Sequence, residues 1–272
     1  ADHLVSLGYQ EAITYSFVDE VLQQQVCPDQ DSIALANPIS SDMSVMRTSL
    51  WPGLLKAVSY NQNRQQQRIK FFETGLRFIQ EGSDIVQTRM ISGVVTGLVD
   101  NESWCNEKRA LDFFDIKADL ENILLPIDAS IVFEKATHPA LHPGQCAKIV
   151  KNDEILGYVG AVHPKLQNSV DLNGSVYMFE LCLDKTVQGQ VPHFSEVSKF
   201  PEVRRDLAIV INNEVPFNDI DTVVRENAGS ELVDLRVFDV YAGSNLGEGQ
   251  RSVGLGLVWQ RVDRTLNDEE VG

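Results

Sequence analysis

The most regular pattern of hydrophobic and polar positions lies in residues 49–66. Apolar side chains recur there at intervals of three and four residues, and polar side chains fill most of the positions between them. This spacing gives a helix one apolar face and predicts a helix over residues 49–66. Pro52 falls in its first turn, where the missing N–H costs no hydrogen bond. The apolar residues of this face are Trp51, Leu54, Leu55 and Val58.

After residue 67 the pattern becomes one that is typical of strands. Residues 68–79 are rich in Ile and Phe and contain Thr74-Gly75, which predicts two short strands with a bend between them. Further strands are predicted at 90–99, 130–136, 145–151, 154–163 and 176–183, and helices at 111–124 and 164–170. Helices alternate irregularly with groups of adjacent strands, which predicts an α+β fold built on an antiparallel sheet.

A polar connector with Gly189 and Pro192 predicts a boundary between two domains, residues 1–188 and residues 189–272. The second domain has the pattern of a strand, a helix and two strands, at 206–211, 217–228, 232–241 and 252–260. This β-α-β-β order is the first part of a ferredoxin-like β-α-β-β-α-β unit. Residues 268–270 resemble the start of the second helix, so we expect the unit to be truncated in this chain.

Charge limits the kinds of partner that we expect. The chain has 23 Lys+Arg against 39 Asp+Glu, a formal net charge of −16. Such acidity argues against holding nucleic acid by bulk electrostatic attraction, so any RNA contact must be local and no DNA partner is expected. No apolar run approaches the about 18 residues of a membrane span, so no membrane partner is expected either.

The residues that could bind a metal lack a suitable arrangement. The four cysteines include no CxxC pair, which favours free thiols. His138 and His142 have the spacing of a helical metal site, but Pro139 and Pro143 break that helix. We therefore expect no metal site.

Several short segments are more specific than the periodicity. They are NPIS at 37–40, MRTSLWPGLL at 46–55, YNQNR at 60–64, FETG at 72–75, LHPGQ at 141–145, GYVGAVHP at 157–164, FPEVRRDLAIVI at 200–211, FDVY at 238–241 and DRTL at 263–266. In this order they resemble the beta chain family of bacterial phenylalanyl-tRNA synthetases over nearly all of the sequence. The resemblance implies a class II synthetase-like antiparallel sheet with flanking helices, followed by a ferredoxin-fold anticodon-binding domain.

The resemblance also implies a function. In this family a catalytic alpha chain joins the beta chain in a heteromeric cytoplasmic ligase, and the whole enzyme uses ATP and magnesium. The expected partners are therefore the alpha chain and the tRNA for phenylalanine.

Class II synthetases carry an arginine two residues before the glutamate of their second signature, where this chain has Phe71 before Glu73. A hydrocarbon ring cannot clamp a phosphate, so we expect no catalytic residue and no cofactor in this chain itself. Glu180 is interpreted as either a solvent-facing strand residue or a paired structural residue rather than a general base.

Residues 238–241 are the candidate RNA-reading segment. Alternation along a strand puts Asp239 and Tyr241 on one face and turns Phe238 and Val240 into the core. An aromatic ring can stack on an unpaired base while a carboxylate accepts hydrogen bonds from the edge of that base. The family pattern implies recognition at these two positions and at a serine on the next strand, which matches Ser252.

Two other features bear on this interpretation. Arg204 and Arg205 form the best local basic pair for phosphate contact, although Asp206 offers them an ion pair instead. The alternative for residues 238–241 is that Tyr241 caps a strand and that Asp239 pairs with a nearby arginine, either Arg236 or Arg251.

The predicted helix at 49–66 supplies the candidate subunit interface. In class II synthetases the corresponding long helix packs at the dimer interface, so the resemblance implies the same role here. The candidate residues are Arg47, Trp51, Leu55 and Arg64. A solvated, amide-rich helix end is the alternative.

Two other functions stay open. One is an autonomous adenylating enzyme, against which the missing arginines argue. The other is a protein–protein scaffold without RNA binding, which the acidity of the chain allows.

Overall fold

A computed structural model of the chain describes residues 1–186, 194, 196–243, 245–267 and 270–271. The chain divides into two compact units, residues 1–191 and residues 192–272. The boundary predicted at 188–189 lies outside the described residues. Among the described residues, no helix is long and apolar enough to cross a membrane.

The first unit is organised around a seven-stranded sheet. Its helices are α1 (Asp2–Ser6), α2 (Glu20–Val26), α3 (Trp51–Gln62), α4 (Phe113–Leu124), α5 (Pro164–Ser169) and α6 (Leu183–Thr186), with a 3₁₀ turn at Ser41–Met43. Its strands are β1 (Gln10–Glu11), β2 (Phe17–Val18), β3 (Ile33–Ala34), β4 (Val45–Met46), β5 (Ile69–Glu81), β6 (Asp84–Thr96), β7 (Val132–Lys135), β8 (Leu141–Lys151), β9 (Glu154–Val162) and β10 (Val176–Cys182). The sheet order is β1-β5-β6-β10-β9-β8-β7, and a small sheet has the order β2-β4-β3. Only the β1–β5 pair is parallel among the pairs of the described strands, so the predicted α+β class with an antiparallel sheet is confirmed.

Helix α3 covers one face of the sheet. Its four predicted apolar residues are all buried and pack with Val94 and Met178. The helix ends earlier than predicted, because the backbone at Gln65 takes a left-handed conformation with φ of 65°. On the other face, α4 packs Ile116, Leu120 and Leu124 into a second core.

Strand β5 corrects one expectation. The predicted bend at Thr74-Gly75 is wrong, because β5 pairs with β6 without interruption from Ile69 to Glu81. Gly75 instead makes room for a side chain: the Arg47 guanidinium occupies the place that a Cβ at this position would take. The glycine therefore serves packing and does not form a turn.

The second unit contains β11 (Val203–Asn212), α7 (Phe217–Asn227), β12 (Leu232–Tyr241) and β13 (Gln250–Trp259), so the predicted β-α-β-β order is confirmed. The three strands form an antiparallel sheet in the order β11-β13-β12. One face of this sheet packs against α7 through Leu235, Val253, Leu255 and Leu257. In the described part of this unit, the opposite face carries no helix, and we refer to it as the open face.

Candidate nucleic-acid interface

The pairing of the strands decides which side chains share the open face. On β13, Ser252 and Gly254 alternate with the buried Val253 and Leu255 and therefore point away from α7. Directly paired residues of neighbouring strands have side chains on the same face. Tyr241 pairs with Ser252, and Asp239 pairs with Gly254. The structure thus brings the three predicted RNA-reading residues together on the open face.

A β-bulge in β12 adds a side chain that the sequence pattern missed. The register with β13 shifts between Val237 and Asp239, so Phe238 is the extra residue. Its side chain is 52% exposed, and two ring carbons lie 2.9 and 3.0 Å from where a Cβ of Gly254 would stand. The expectation that Phe238 points into the core is therefore wrong, because the bulge turns its ring onto the open face.

Val240 also departs from the expectation. It pairs with Val253, which places it on the face that carries α7, yet 58% of it is exposed. The side chain lies near the end of β12, where it is not enclosed in the core. The prediction that it is a core residue is wrong.

The arginines of this unit have separate environments. Arg204 pairs with Val258 and so belongs to the open face, where its guanidinium carbon lies 5.7 Å from the centre of the Phe238 ring. Its Nε donates to Asp206 Oδ1 at 2.8 Å. Arg205 pairs with the buried Leu257 and belongs to the other face. The two arginines therefore cannot act as one basic pair on a single surface.

Asp239 is not held by either of the arginines proposed in the alternative interpretation. Arg236 Nε donates to Asp234 Oδ2 at 2.8 Å, and Arg251 Nη2 donates to the Val215 carbonyl at 2.8 Å. No described residue donates a hydrogen bond to Asp239. Arg236 pairs with Gly256 and also belongs to the open face. Simple alternation would put Arg236 and Asp239 on opposite faces, so the sequence pattern did not indicate that they share one.

Tyr241 lies at the end of β12 and is both supported by the following backbone and partly exposed. Its side chain is 46% exposed, and its hydroxyl fills the place that a Cβ at Gly243 would take. The ring is therefore supported by the backbone that follows β12 and still presents a large part of its surface to solvent.

Three of the four candidate interface residues lie inside the first unit. Trp51, Leu55 and Arg47 are 2%, 0% and 4% exposed. They pack within this chain, so they offer almost no surface for direct contact with a partner. Arg64 is exposed at the end of α3 and stacks on Tyr60, with 3.4 Å between its guanidinium carbon and the ring centre.

Phe71 and Glu73, the two residues compared with the second signature of class II synthetases, also make internal contacts. Phe71 is partly buried against the α3 side of the core. Glu73 Oε1 accepts from Arg47 Nη1 at 2.7 Å, and its Oε2 accepts from Thr14 Oγ1 at 2.7 Å. Both oxygens of this carboxylate therefore serve the fold. Across the described residues, no group of three or more His, Cys, Asp and Glu side chains is arranged to hold a metal ion.

Comparison with solved structures defines the class of fold. The chain is similar to the pyrrolysyl-tRNA synthetase PylSc of Desulfitobacterium hafniense, with a TM-score of 0.50 and 12% sequence identity over 68% of this chain and 62% of that chain. At this identity the likeness shows a shared synthetase-like fold and no more.

Comparison with protein families is more specific. The family model described as the phenylalanyl tRNA synthetase beta chain CLM domain matches residues 1–183, and the model of the ferredoxin-fold anticodon binding domain matches residues 198–272. The chain belongs to the phenylalanyl-tRNA synthetase beta chain family. Similar relatives are the phenylalanine–tRNA ligase beta subunits of Hahella chejuensis, 49% identical over 99% of this chain, and of Pseudomonas putida and Shewanella oneidensis, 49% and 46% identical over 98% of it. The chain spans 34% of the length of each of these relatives.

Proposed function

We propose that this chain is a noncatalytic part of the beta subunit of a phenylalanine–tRNA ligase. Residues 192–272 contact the tRNA anticodon, and residues 1–191 pair with the catalytic alpha subunit. The whole enzyme, acting in the cytoplasm, uses ATP and magnesium. The observation that carries the RNA part of this proposal is the open face, where Asp239, Tyr241 and Ser252 lie together and no described residue donates a hydrogen bond to the Asp239 carboxylate.

The open face suits unpaired bases. The exposed rings of Tyr241 and Phe238 offer stacking surfaces, and base–aromatic stacking contributes about 1–3 kcal/mol per base. The Asp239 carboxylate accepts hydrogen bonds from the amino or imino edge of a base. The Phe238 ring covers Gly254, and the side chains of Arg204 and Arg236 lie beside Gly256, so a base on the open face would meet these side chains.

Electrostatics place a limit on this contact. With a net charge of −16 the chain does not attract phosphates as a whole, and Arg204 and Arg236 on the open face are each paired with an aspartate. Few counterions are released when few phosphates are neutralised. We therefore expect a weak dependence of RNA binding on salt, in contrast to proteins that hold RNA by a basic surface.

The alpha subunit would contact the exposed side of α3. Because the apolar side of this helix is buried, the surface left for a partner consists of its polar side, where Arg64 stacks on the 58% exposed Tyr60. A groove of about 500 Å³ between α2 and α3 is lined by Lys56, Tyr60 and Arg64. The basic and aromatic side chains of this groove suit an acidic or aromatic segment of the partner.

Binding of an anticodon stem-loop to the chain, at one fixed ionic strength, tests the RNA part. Tyr241→Ala removes a stacking surface of about 1–3 kcal/mol, so the affinity should fall about 5- to 150-fold. Tyr15→Ala is the matched control, because Tyr15 is a 65% exposed tyrosine of the first unit. Equal affinity of the wild type and Tyr241→Ala would refute the assignment. Absence of binding by the wild type would favour a protein–protein scaffold, which the acidity of the chain supports.

A further inference from the structure

A cavity of about 220 Å³ lies in the first unit beside the start of α3. It is lined by residues of β5, β6, β9 and β10, of the start of α3, of α6, and of the segments that follow α2, β4 and β7. The volume is several times the about 30 Å³ that one water molecule occupies, and it is below the about 300–1,000 Å³ of pockets for drug-sized ligands. The space therefore suits one small molecule.

One side of the cavity is acidic. The Glu180 carboxylate is buried, and its Oε1 accepts from the Leu50 backbone N–H at 2.7 Å and from Ser49 Oγ at 3.1 Å. No described residue donates to its Oε2. Burial raises the pKa of Glu180 to about 6, against the hydrogen bonds and the nearby Arg77 and Arg47, which favour the charged form. At pH 7 the group is therefore mostly a carboxylate with one oxygen available.

A second acceptor on the cavity wall also lacks a partner. Gln30 Oε1 is enclosed and accepts no hydrogen bond from the described residues. A buried polar atom without a partner costs about 1–3 kcal/mol. Together with Glu180, this carbonyl gives the cavity two acceptors for a ligand that carries N–H groups.

Arg77 supplies the opposite charge. Its Nε is enclosed without a hydrogen-bond partner, and it forms no ion pair with the described residues. The other cations nearby are already engaged: Arg47 pairs with Glu73 at 2.7 Å, and Lys185 pairs with Glu154 at 2.6 Å. Arg77 is thus the one cation among the described lining residues that is available to a ligand.

An aromatic group completes the wall. The ring centres of Trp51 and His138 are 5.0 Å apart, and those of His138 and Tyr158 are also 5.0 Å apart. Burial lowers the pKa of His138 to about 4, so the ring is neutral at pH 7. Its Nδ1 accepts from the Ala140 N–H at 3.2 Å, which leaves the proton on Nε2. This wall offers contact to an apolar group without adding charge.

We propose that the cavity binds a small zwitterion of the class of free α-amino acids, with its carboxylate on Arg77 and its ammonium group on Glu180 and Gln30. The negative charge of a simple anion would be repelled by Glu180, and the positive charge of a simple cation would be repelled by Arg77. A molecule with both charges satisfies both ends, and its side chain lies along Trp51 and His138. This site is distinct from the proposed anticodon contact and requires no ATP.

Calorimetric titration of the 272-residue chain with each of the common α-amino acids at pH 7.5 tests the proposal. At least one amino acid should bind, and Arg77→Met should weaken its binding at least tenfold. Arg109→Met is the matched control, because Arg109 is a 50% exposed arginine of the same unit that does not line the cavity, and the affinity of this variant should be that of the wild type. Acetate and methylamine, which each carry only one of the two charged groups, should bind far more weakly than the amino acid.

Gln30→Leu keeps the experiment decisive if Arg77→Met does not fold, because it removes an acceptor without removing a charge. It should also weaken binding while near-ultraviolet circular dichroism stays unchanged. Failure of every amino acid to bind would overturn the proposal and leave a cavity that holds only ordered water. Equal binding of acetate would overturn it in favour of a plain anion site, and unchanged affinity of both variants would place any binding elsewhere.

Discussion

Replacing Arg47 by Met should destabilise the first unit strongly. The guanidinium donates to Glu73 Oε1 at 2.7 Å, to the Leu76 carbonyl at 2.8 Å and to Thr14 Oγ1 at 3.2 Å. The side chains of Arg47 and Glu73 are only 5% and 3% exposed. Methionine would leave the Glu73 carboxylate buried without its cation. Breaking a buried ion pair in this way costs about 3–5 kcal/mol.

Urea and thermal unfolding measure this loss. Fluorescence of Trp51, which lies in the core of the same unit, reports the transition. For a unit of about 150–250 residues, a loss of about 3–5 kcal/mol corresponds to a decrease in melting temperature of about 6–20 °C. Lys108→Met is the matched control: Lys108 pairs with Glu102 at 2.6 Å, but both side chains are well exposed. An exposed pair contributes about 0–1 kcal/mol.

A double variant separates the ion pair from the loss of packing. Arg47→Met combined with Glu73→Leu removes both charges, and apolar replacement of a whole buried pair is often neutral. The double variant should therefore be more stable than Arg47→Met alone. If Arg47→Met loses less than about 1 kcal/mol, or if the second substitution adds to the loss, the buried pair is not what holds this region together.

Three other outcomes are expected. Phe238→Ala should weaken binding of the anticodon stem-loop about 5- to 150-fold, whereas Val240→Ala, on the other face of β12, should leave it unchanged; equal effects would remove Phe238 from the binding surface. Tyr60→Asp should reduce co-purification with the alpha subunit at unchanged melting temperature, and retention of the full complex would argue against α3 as the docking surface. Burial raises the pKa of Glu180 from 4.5 to about 6, so folding favours the neutral form of this group more than the unfolded chain does. Relative to Glu180→Gln, the wild type should thus lose about 2 kcal/mol of stability as pH rises from 4 to 7, and parallel pH profiles would contradict this.

The spacing of apolar and polar residues predicted those helices and strands whose formation depends on neighbouring residues in the sequence. The spacing of Trp51, Leu54, Leu55 and Val58 was sufficient for α3, since a helix with one apolar face must bury that face. Strand β12 begins and ends where its pattern predicts, at Leu232 and Tyr241. Both segments have strong periodicity and clear polar boundaries.

The features that sequence missed depend on contacts between distant residues. Glycine is common in turns, yet Gly75 lies within a continuous strand. The reason is the side chain of Arg47, which is far from Gly75 along the chain and fills the space beside it. From sequence alone an arginine such as Arg47 is expected at the surface, and only the structure shows that it is buried in an ion pair with Glu73. The bulge at Phe238 is defined only by the partner strand, because an extra residue exists only relative to the ladder opposite it.

That bulge also changes the spacing at which β12 presents side chains to solvent. A regular strand rises about 3.4 Å per residue, so side chains on one face recur about every 6.8 Å. Stacked nucleotides are separated by about half of that distance. With Phe238 and Asp239 adjacent in sequence and both on the open face, β12 can match the interval between consecutive bases, which an unbroken strand of the same length cannot do.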